Sequence, residues 1–288
     1  MRRFMRARTV SWTLALAAVA AVFAVLAPAA SATVETATSG QVQAQLSYTK
    51  TGDFDYSDVR IKITRGGTTV LDEAVPGPCQ DCQPMPAGHA ETSSLTLKDL
   101  DKDGEPEATV DLFTGGAHCC LVSVIYGYNA GSNTYGHLLQ DWRDPGYTLT
   151  DLNHDGRPEF RSSDALFAYR FSAYVFSAFP IQIWHYQAGR MIDVTRSFPK
   201  LIKKDAKLQL HFYKSARGKN DLDVRGDLAA YTADEYLLGK SKGDAAWRLL
   251  KRANKRGELH GPKGDALPKG SRYLRKLRHF LKNLGYIR

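Results

Sequence analysis

The chain has 288 residues, 43% of them hydrophobic and 24% charged, the balance of a folded protein of one or two domains. That balance excludes wholesale disorder, collagen and a multi-span membrane protein. The net charge of +9 averages two unlike parts: residues 33–195 carry 11 Lys and Arg against 21 acids, whereas residues 196–288 carry 24 against nine.

At the N-terminus Arg2, Arg3, Arg6 and Arg8 precede an apolar run from Val10 to Ala27, then Pro28 and the triplet Ala30-Ser31-Ala32. This order predicts a secretory leader over residues 1–32, cleaved after Ala32, and a protein that is secreted, extracellular or associated with the cell envelope. An uncleaved single-span anchor is the other reading of the same run.

Residues 33–198 read as a β domain. Val42 to Leu46 and Val59 to Ile63 alternate apolar and polar residues, and Gly66-Gly67 turns the second run into Thr68 to Leu71. Further β-rich runs follow at Thr109 to Phe113, Leu121 to Tyr128, Ala173 to Phe179 and Ile181 to Tyr186. From about residue 200 the period changes: 228–238, 245–253 and 271–284 space apolar residues three or four apart, as helices do. The expected fold is mainly β, with antiparallel blade-like sheets in a partial β-propeller or sandwich. Residues 199–288 form a basic, mainly helical C-terminal region.

An internal repeat carries the chemistry. Residues 99–107 read Asp-Leu-Asp-Lys-Asp-Gly-Glu-Pro-Glu, and residues 151–159 read Asp-Leu-Asn-His-Asp-Gly-Arg-Pro-Glu. Side-chain oxygens at positions 1, 3 and 5 of a tight loop converge on one point, and Gly at position 6 permits the sharp turn. The carbonyl at position 7 and the acid at position 9 complete a shell for a hard cation. The expected ligands are Asp99, Asp101, Asp103 and Glu107 with the Glu105 carbonyl, and Asp151, Asn153, Asp155 and Glu159 with the Arg157 carbonyl. An EF-hand shares the first positions but needs an acid at position 12 and flanking helices. Position 12 is Val110 in one loop and Ser162 in the other, and a strand-like run follows the first loop.

This loop, repeated at about blade spacing between strands, resembles the calcium loop of FG-GAP or VCBS repeats, the blades of integrin-α-type β-propellers found also in secreted bacterial proteins. The resemblance implies two Ca²⁺ sites that stiffen strand connections, with an affinity of about 10⁻⁴ to 10⁻³ M as for extracellular modules. The chain departs from the family in having no Phe-Gly and no Gly-Ala-Pro, and two recognisable loops.

Cys79, Cys82, Cys119 and Cys120 are an even set in a chain with an export leader, which predicts two disulfides. Because a bridge between adjacent residues is strained, Cys119 and Cys120 are each expected to bond back to Cys79 or Cys82. The alternative is a zinc or copper site formed by Cys79, Cys82, His118 and one of the adjacent cysteines. The hydrolase motifs Gly-x-Ser-x-Gly and His-Glu-x-x-His are absent and no catalytic residue is assigned, which leaves a secreted hydrolase with an unlocated site as a further alternative.

In 271–284, Tyr273, Leu274, Leu277, Phe280, Leu281 and Leu284 form one helical stripe, and Arg272, Arg275, Lys276, Arg278 and Lys282 cover much of the rest. The basic face suits anionic envelope polymer or lipid headgroups, and no nucleic-acid partner is expected. Arg225-Gly226-Asp227 matches an adhesion tripeptide too short to carry weight, and Trp184 with Tyr186 would suit carbohydrate if both were exposed. The sequence therefore reads as an exported calcium-binding β protein of FG-GAP or VCBS type, acting as a binding or envelope-associated module.

Overall fold

A computed structural model describes residues 31–53, 55–79, 82–88, 92–118, 120–219 and 222–288. The expected leader lies almost wholly outside the described residues. Three antiparallel sheets follow one another along the chain. The first is a meander of β1 (Ser31–Ser39), β2 (Val42–Lys50), β3 (Tyr56–Arg65) and β4 (Thr68–Ala74). The second runs β6 (Leu95–Lys98), β7 (Glu107–Phe113), β8 (Leu121–Asn129) and β9 (Thr134–Arg143); the two-residue β5 (Gln83–Pro84) also pairs with β7, beyond the end of β6. The third is β10 (Thr148–Thr150), β11 (Glu159–Ser163), β12 (Ile181–Gln187) and β13 (Arg190–Asp193).

The sheets stack in chain order. Inward residues of β2 and β3, Ala44 opposite Ile63 and Leu46 opposite Ile61, share one core with Leu95, Val110, Val122 and Val124 of the second sheet. The opposite face of the second sheet gives Ile125 and Trp142 to a core with Phe160 and Tyr186 of the third. The second sheet is thus covered on both sides, which is why β7 is buried at six of its seven positions and shows no alternation, whereas β2 does. Each buried aliphatic side chain contributes about 1.5–3 kcal/mol to the stack.

The helices continue the layering. Ile181 and Ile183 of β12 pack on Ile202 of α1 (Pro199–Ala216). Beyond it, α2 (Arg225–Leu237), α3 (Lys240–Lys255) and α4 (Gly270–Asn283) enclose a core of Leu228, Trp247, Leu250, Tyr273, Leu277 and Phe280. Phe167 and Phe171, from the connection between β11 and β12, enter that core and seat the helices on the third sheet. Gly243 is needed where α3 crosses α2, because a Cβ there would overlap the Tyr236 ring.

The fold class matches the expectation, with one local correction. Residues 173–179 are not a strand; Tyr174–Phe176 form a single 3₁₀ turn between extended residues. The run is aromatic because it lines the seam between sheet and helices, not because it pairs. Among the described residues no helix is long and apolar enough to cross a membrane.

Candidate metal centre

Both repeated loops occupy the same place in their sheets. The first joins β6 to β7 and the second joins β10 to β11, so each connects the outer strand of a four-stranded meander to its neighbour. Their backbones follow the same path: Lys102 and His154 at position 4 have φ of 65° and 63°, and Gly104 and Gly156 at position 6 have φ of 92° and 89°. A glycine is required there, since a side chain would be strained at that φ.

The hydrogen bonds repeat as well. Asp99 Oδ2 accepts the Gly104 N–H at 3.0 Å, as Asp151 Oδ2 accepts that of Gly156 at 2.8 Å. Asp103 accepts from Glu105 and Asp155 from Arg157, each at 2.8 Å. Glu107 accepts the Leu100 N–H and Glu159 the Leu152 N–H, again at 2.8 Å. These bonds fold each loop back on itself and draw the position-9 carboxylate inward beneath the position-1 acid. Flanked by strands, with Val110 wholly buried at position 12, the first loop is not an EF-hand.

In the first loop carboxylate oxygens of Asp99, Asp101 and Glu107 lie within 4.8 Å of one another. Asp101 Oδ1 is buried without a hydrogen-bond partner among the described residues, while its Oδ2 accepts the Ala188 N–H at 2.9 Å. Burial, with Asp101, Asp103 and Asp99 nearby, pushes the Glu107 carboxyl up to about 8. A buried acceptor lacking a donor among converging acids fits a hard divalent cation, whose charge would restore the Glu107 carboxyl to its ionised form. Asp103 stands outside that trio.

The second loop converges less. Asp151, like Asp99, accepts backbone N–H groups on both oxygens, here from Asp155 and Gly156, but no third acid joins it within ligating range among the described residues. Asn153 donates to Asp155 Oδ2 at 3.0 Å and accepts from the Asp155 N–H. Glu159 is raised in the same direction as Glu107, by burial and by Asp155 and Asp151.

Three contacts of the first loop reach other parts of the stack, and the sequence did not flag them. Arg65, at the end of β3, forks onto the Glu105 carboxylate. Lys102 Nζ donates to the Asp155 carbonyl at 2.5 Å, joining loop to loop. Asp101 holds the β12–β13 turn through Ala188. The first loop therefore touches the first sheet, the second loop and the third sheet. Glu35 of β1 is a comparable tie, accepting from Ser93 Oγ, the Ser94 N–H and Tyr48.

The cysteine pairing differs from expectation. Cys79 bonds to Cys82, with Cα atoms 5.3 Å apart, inside the span that a disulfide bridges. Cys120 is disulfide-bonded, and Cys119 lies outside the described residues. With Cys79, Cys82 and Cys120 oxidised, the soft-metal site has lost the thiolates that would bind zinc or copper. His118 instead stacks on Tyr174, centroids 3.7 Å apart.

Other sequence features settle into structural roles. Arg225 of the adhesion-like tripeptide is wholly buried and paired with Asp223 and Asp265. Tyr186 is 2% exposed, so it and Trp184 do not form an open carbohydrate platform. A cleft of about 590 Å³ between α1 and the 173–179 segment is lined, among the described residues, by Asp205, Asp223 and Asp227 and by the aromatic Phe176, Phe179 and Phe212.

Two curated proteins resemble the chain. It is 32% identical over 167 residues to a probable thylakoid lumen protein of Synechocystis, a match covering 54% of this chain and 46% of that protein. It is 28% identical over 220 residues to an uncharacterized protein of Sinorhizobium fredii, covering 74% of this chain and 32% of the other. The chain thus spans less than half the length of either relative. No family model matches it, and no solved structure matches it.

Proposed function

We propose that the chain is an exported, calcium-binding β module of FG-GAP or VCBS type, serving as a binding or envelope-associated protein. The observation that carries this reading is the buried, unpartnered Asp101 Oδ1 set among Asp99 and Glu107, in a loop three of whose hydrogen bonds recur at 151–159. Asp99, Asp101, Asp103 and Glu107 with the Glu105 carbonyl would hold the first ion. Asp151, Asn153, Asp155 and Glu159 with the Arg157 carbonyl would hold the second after the Asn153 amide turns. Calcium accepts six to eight oxygens, and such a saturated cage stabilises a fold rather than activating a substrate.

Export is supported by the leader-like N-terminus, by the Cys79–Cys82 bridge and by similarity to a probable lumen protein. Calorimetric titration of the full chain with Ca²⁺ tests the reading. Binding of about two ions at sub-millimolar to millimolar affinity, with one removed by Asp101→Asn and the other by Asp155→Asn, is expected. Absence of heat above a chelated control at millimolar Ca²⁺ contradicts it.

A further inference from the structure

The C-terminal helices carry a charge imbalance that the calcium loops do not explain. Residues 240–288 contain 15 Lys and Arg and three acids. Each of those acids is already engaged: Asp244 by the Tyr236 hydroxyl at 3.2 Å, Glu258 by Arg256 and Tyr213, and Asp265 by buried Arg225. The basic side chains have few such partners. Arg248, Arg252 and Lys255 of α3 and Arg275, Lys276 and Lys282 of α4 are exposed, and among the described residues no carboxylate pairs with them.

The chain starts α4 beside the end of α3 and brings its second half back toward the middle of α3. The Arg278 guanidinium lies over the Trp247 ring at 5.3 Å, and the Gly270 N–H bonds the Leu259 carbonyl just beyond the end of α3. Both turn their apolar residues into one core, so their charged sides are left outward. Helices of 16 and 14 residues extend about 24 and 21 Å. The result is two adjacent rows of positive charge over an area wide enough for several headgroups at once.

We infer that the α3–α4 face is an electrostatic docking surface for an anionic lipid bilayer. A sheet of headgroups engages both rows together, whereas a single polyanion strand follows one. The large aromatic residues of these helices, Trp247, Tyr273 and Phe280, are buried, which leaves the single exposed imidazole of His279 and no platform of successive rings to stack nucleic-acid bases. Their burial also means that nothing apolar on this face inserts between lipids, so attachment rests on charge and weakens with salt.

Flotation of the full chain with phosphatidylcholine vesicles, with and without 30% phosphatidylglycerol, tests this. Chelator is present throughout, so calcium bridging contributes nothing and the calcium reading is tested separately. Any contribution of the apolar run at 10–27 is common to both lipid compositions. The expected result is preference for the anionic vesicles, lost at high salt. It falls at least about tenfold in the combined variant Arg252→Glu, Arg275→Glu, Lys276→Glu. The matched variant Lys62→Glu, Lys98→Glu, Arg190→Glu, on exposed residues of the sheets, keeps it. Should the first variant fold poorly, the corresponding three Gln replacements give the same comparison with a smaller loss. Equal binding to both vesicles, or equal loss in the two variant sets, overturns the inference. So does tighter binding of polyphosphate or duplex DNA than of anionic vesicles at equal charge concentration, which would make a polymer the occupant.

Discussion

Lys102, the fourth residue of the first acidic loop, reaches across to donate its ammonium to the backbone carbonyl of Asp155 in the second. The two loops are 52 positions apart, yet they share this contact because the second and third sheets stack and bring corresponding edges together. The ammonium also favours the charged form of Asp155, whose carboxyl is lowered chiefly by the Arg157 N–H and Asn153. Lys102 is thus a tethered cation beside the place proposed for the second calcium ion.

Replacing Lys102 by Met separates the two effects. Without calcium the loss is small, below about 1 kcal/mol, because the bond is exposed to solvent. With calcium, removing the neighbouring positive charge tightens the second site, by severalfold in a titration. Weakened calcium binding in Lys102→Met would show instead that the lysine positions the loop.

Asp111 of β7 is the polar centre of the second sheet. It is 1% exposed and accepts from Ser123 Oγ, the Ala87 N–H at 2.9 Å and the Tyr147 hydroxyl at 2.9 Å, while Trp142 donates to Ser123. Burial pushes its carboxyl up to about 6. Asp111→Ala strands several buried donors and should cost about 2–4 kcal/mol in urea unfolding followed by tryptophan fluorescence. A cost below about 1 kcal/mol would mean that water replaces the carboxylate.

In the helical half, Arg225 is held between Asp223 and Asp265 and also donates to the Pro268 carbonyl at 2.9 Å. It anchors the loop between α3 and α4. Arg225→Ala leaves buried Asp223 unpaired and should destabilise the protein by about 3–5 kcal/mol. The same burial predicts that an Arg-Gly-Asp peptide will not compete with this chain for any receptor.

Asp234 of α2 sets a pH dependence. Both its oxygens are buried and make no hydrogen bond of normal geometry; burial, then the nearby Asp205 carboxylate, raises its carboxyl well above the usual range. Asp227 is raised to about 7 by burial and Asp223. A carboxyl with a raised folded-state value stabilises the fold fully below its ordinary value near 3.8, and that stability is lost as pH rises through the folded value. Melting temperature should therefore fall from about pH 4 toward pH 8 through these groups. Asp234→Asn should flatten the profile and raise the melting temperature most at pH 8; an unchanged slope would contradict the assignment.

The acidic loops were legible because their chemistry is local: the spacing of acids around Gly104 and Gly156 dictates the turn wherever it falls in a fold. The alternating strands β2 and β3 and the helices α2, α3 and α4 were legible for the same reason, their periodicities being intrinsic. The polar edge strand β1 was not, since Thr-Val-Glu-Thr-Ala-Thr carries a weak pattern and its place depends on Glu35 reaching Ser93 and Ser94. The contacts of Lys102 and Arg65 were illegible because they arise from stacking between distant segments. The cysteine pairing was illegible because strain between adjacent residues and the short loop closed by Cys79-x-x-Cys82 point to different pairings, and only the fold decides between them.

The most direct test is thermal unfolding of the full chain in millimolar Ca²⁺ and in chelator, with Glu107→Gln and Glu159→Gln alongside. The account predicts that calcium raises the melting temperature by several degrees and that each variant loses part of the gain, Glu107→Gln the larger part because the first loop ties the sheets together. Identical melting with and without calcium, in the unaltered chain and both variants, would contradict it and leave the two loops as acidic turns.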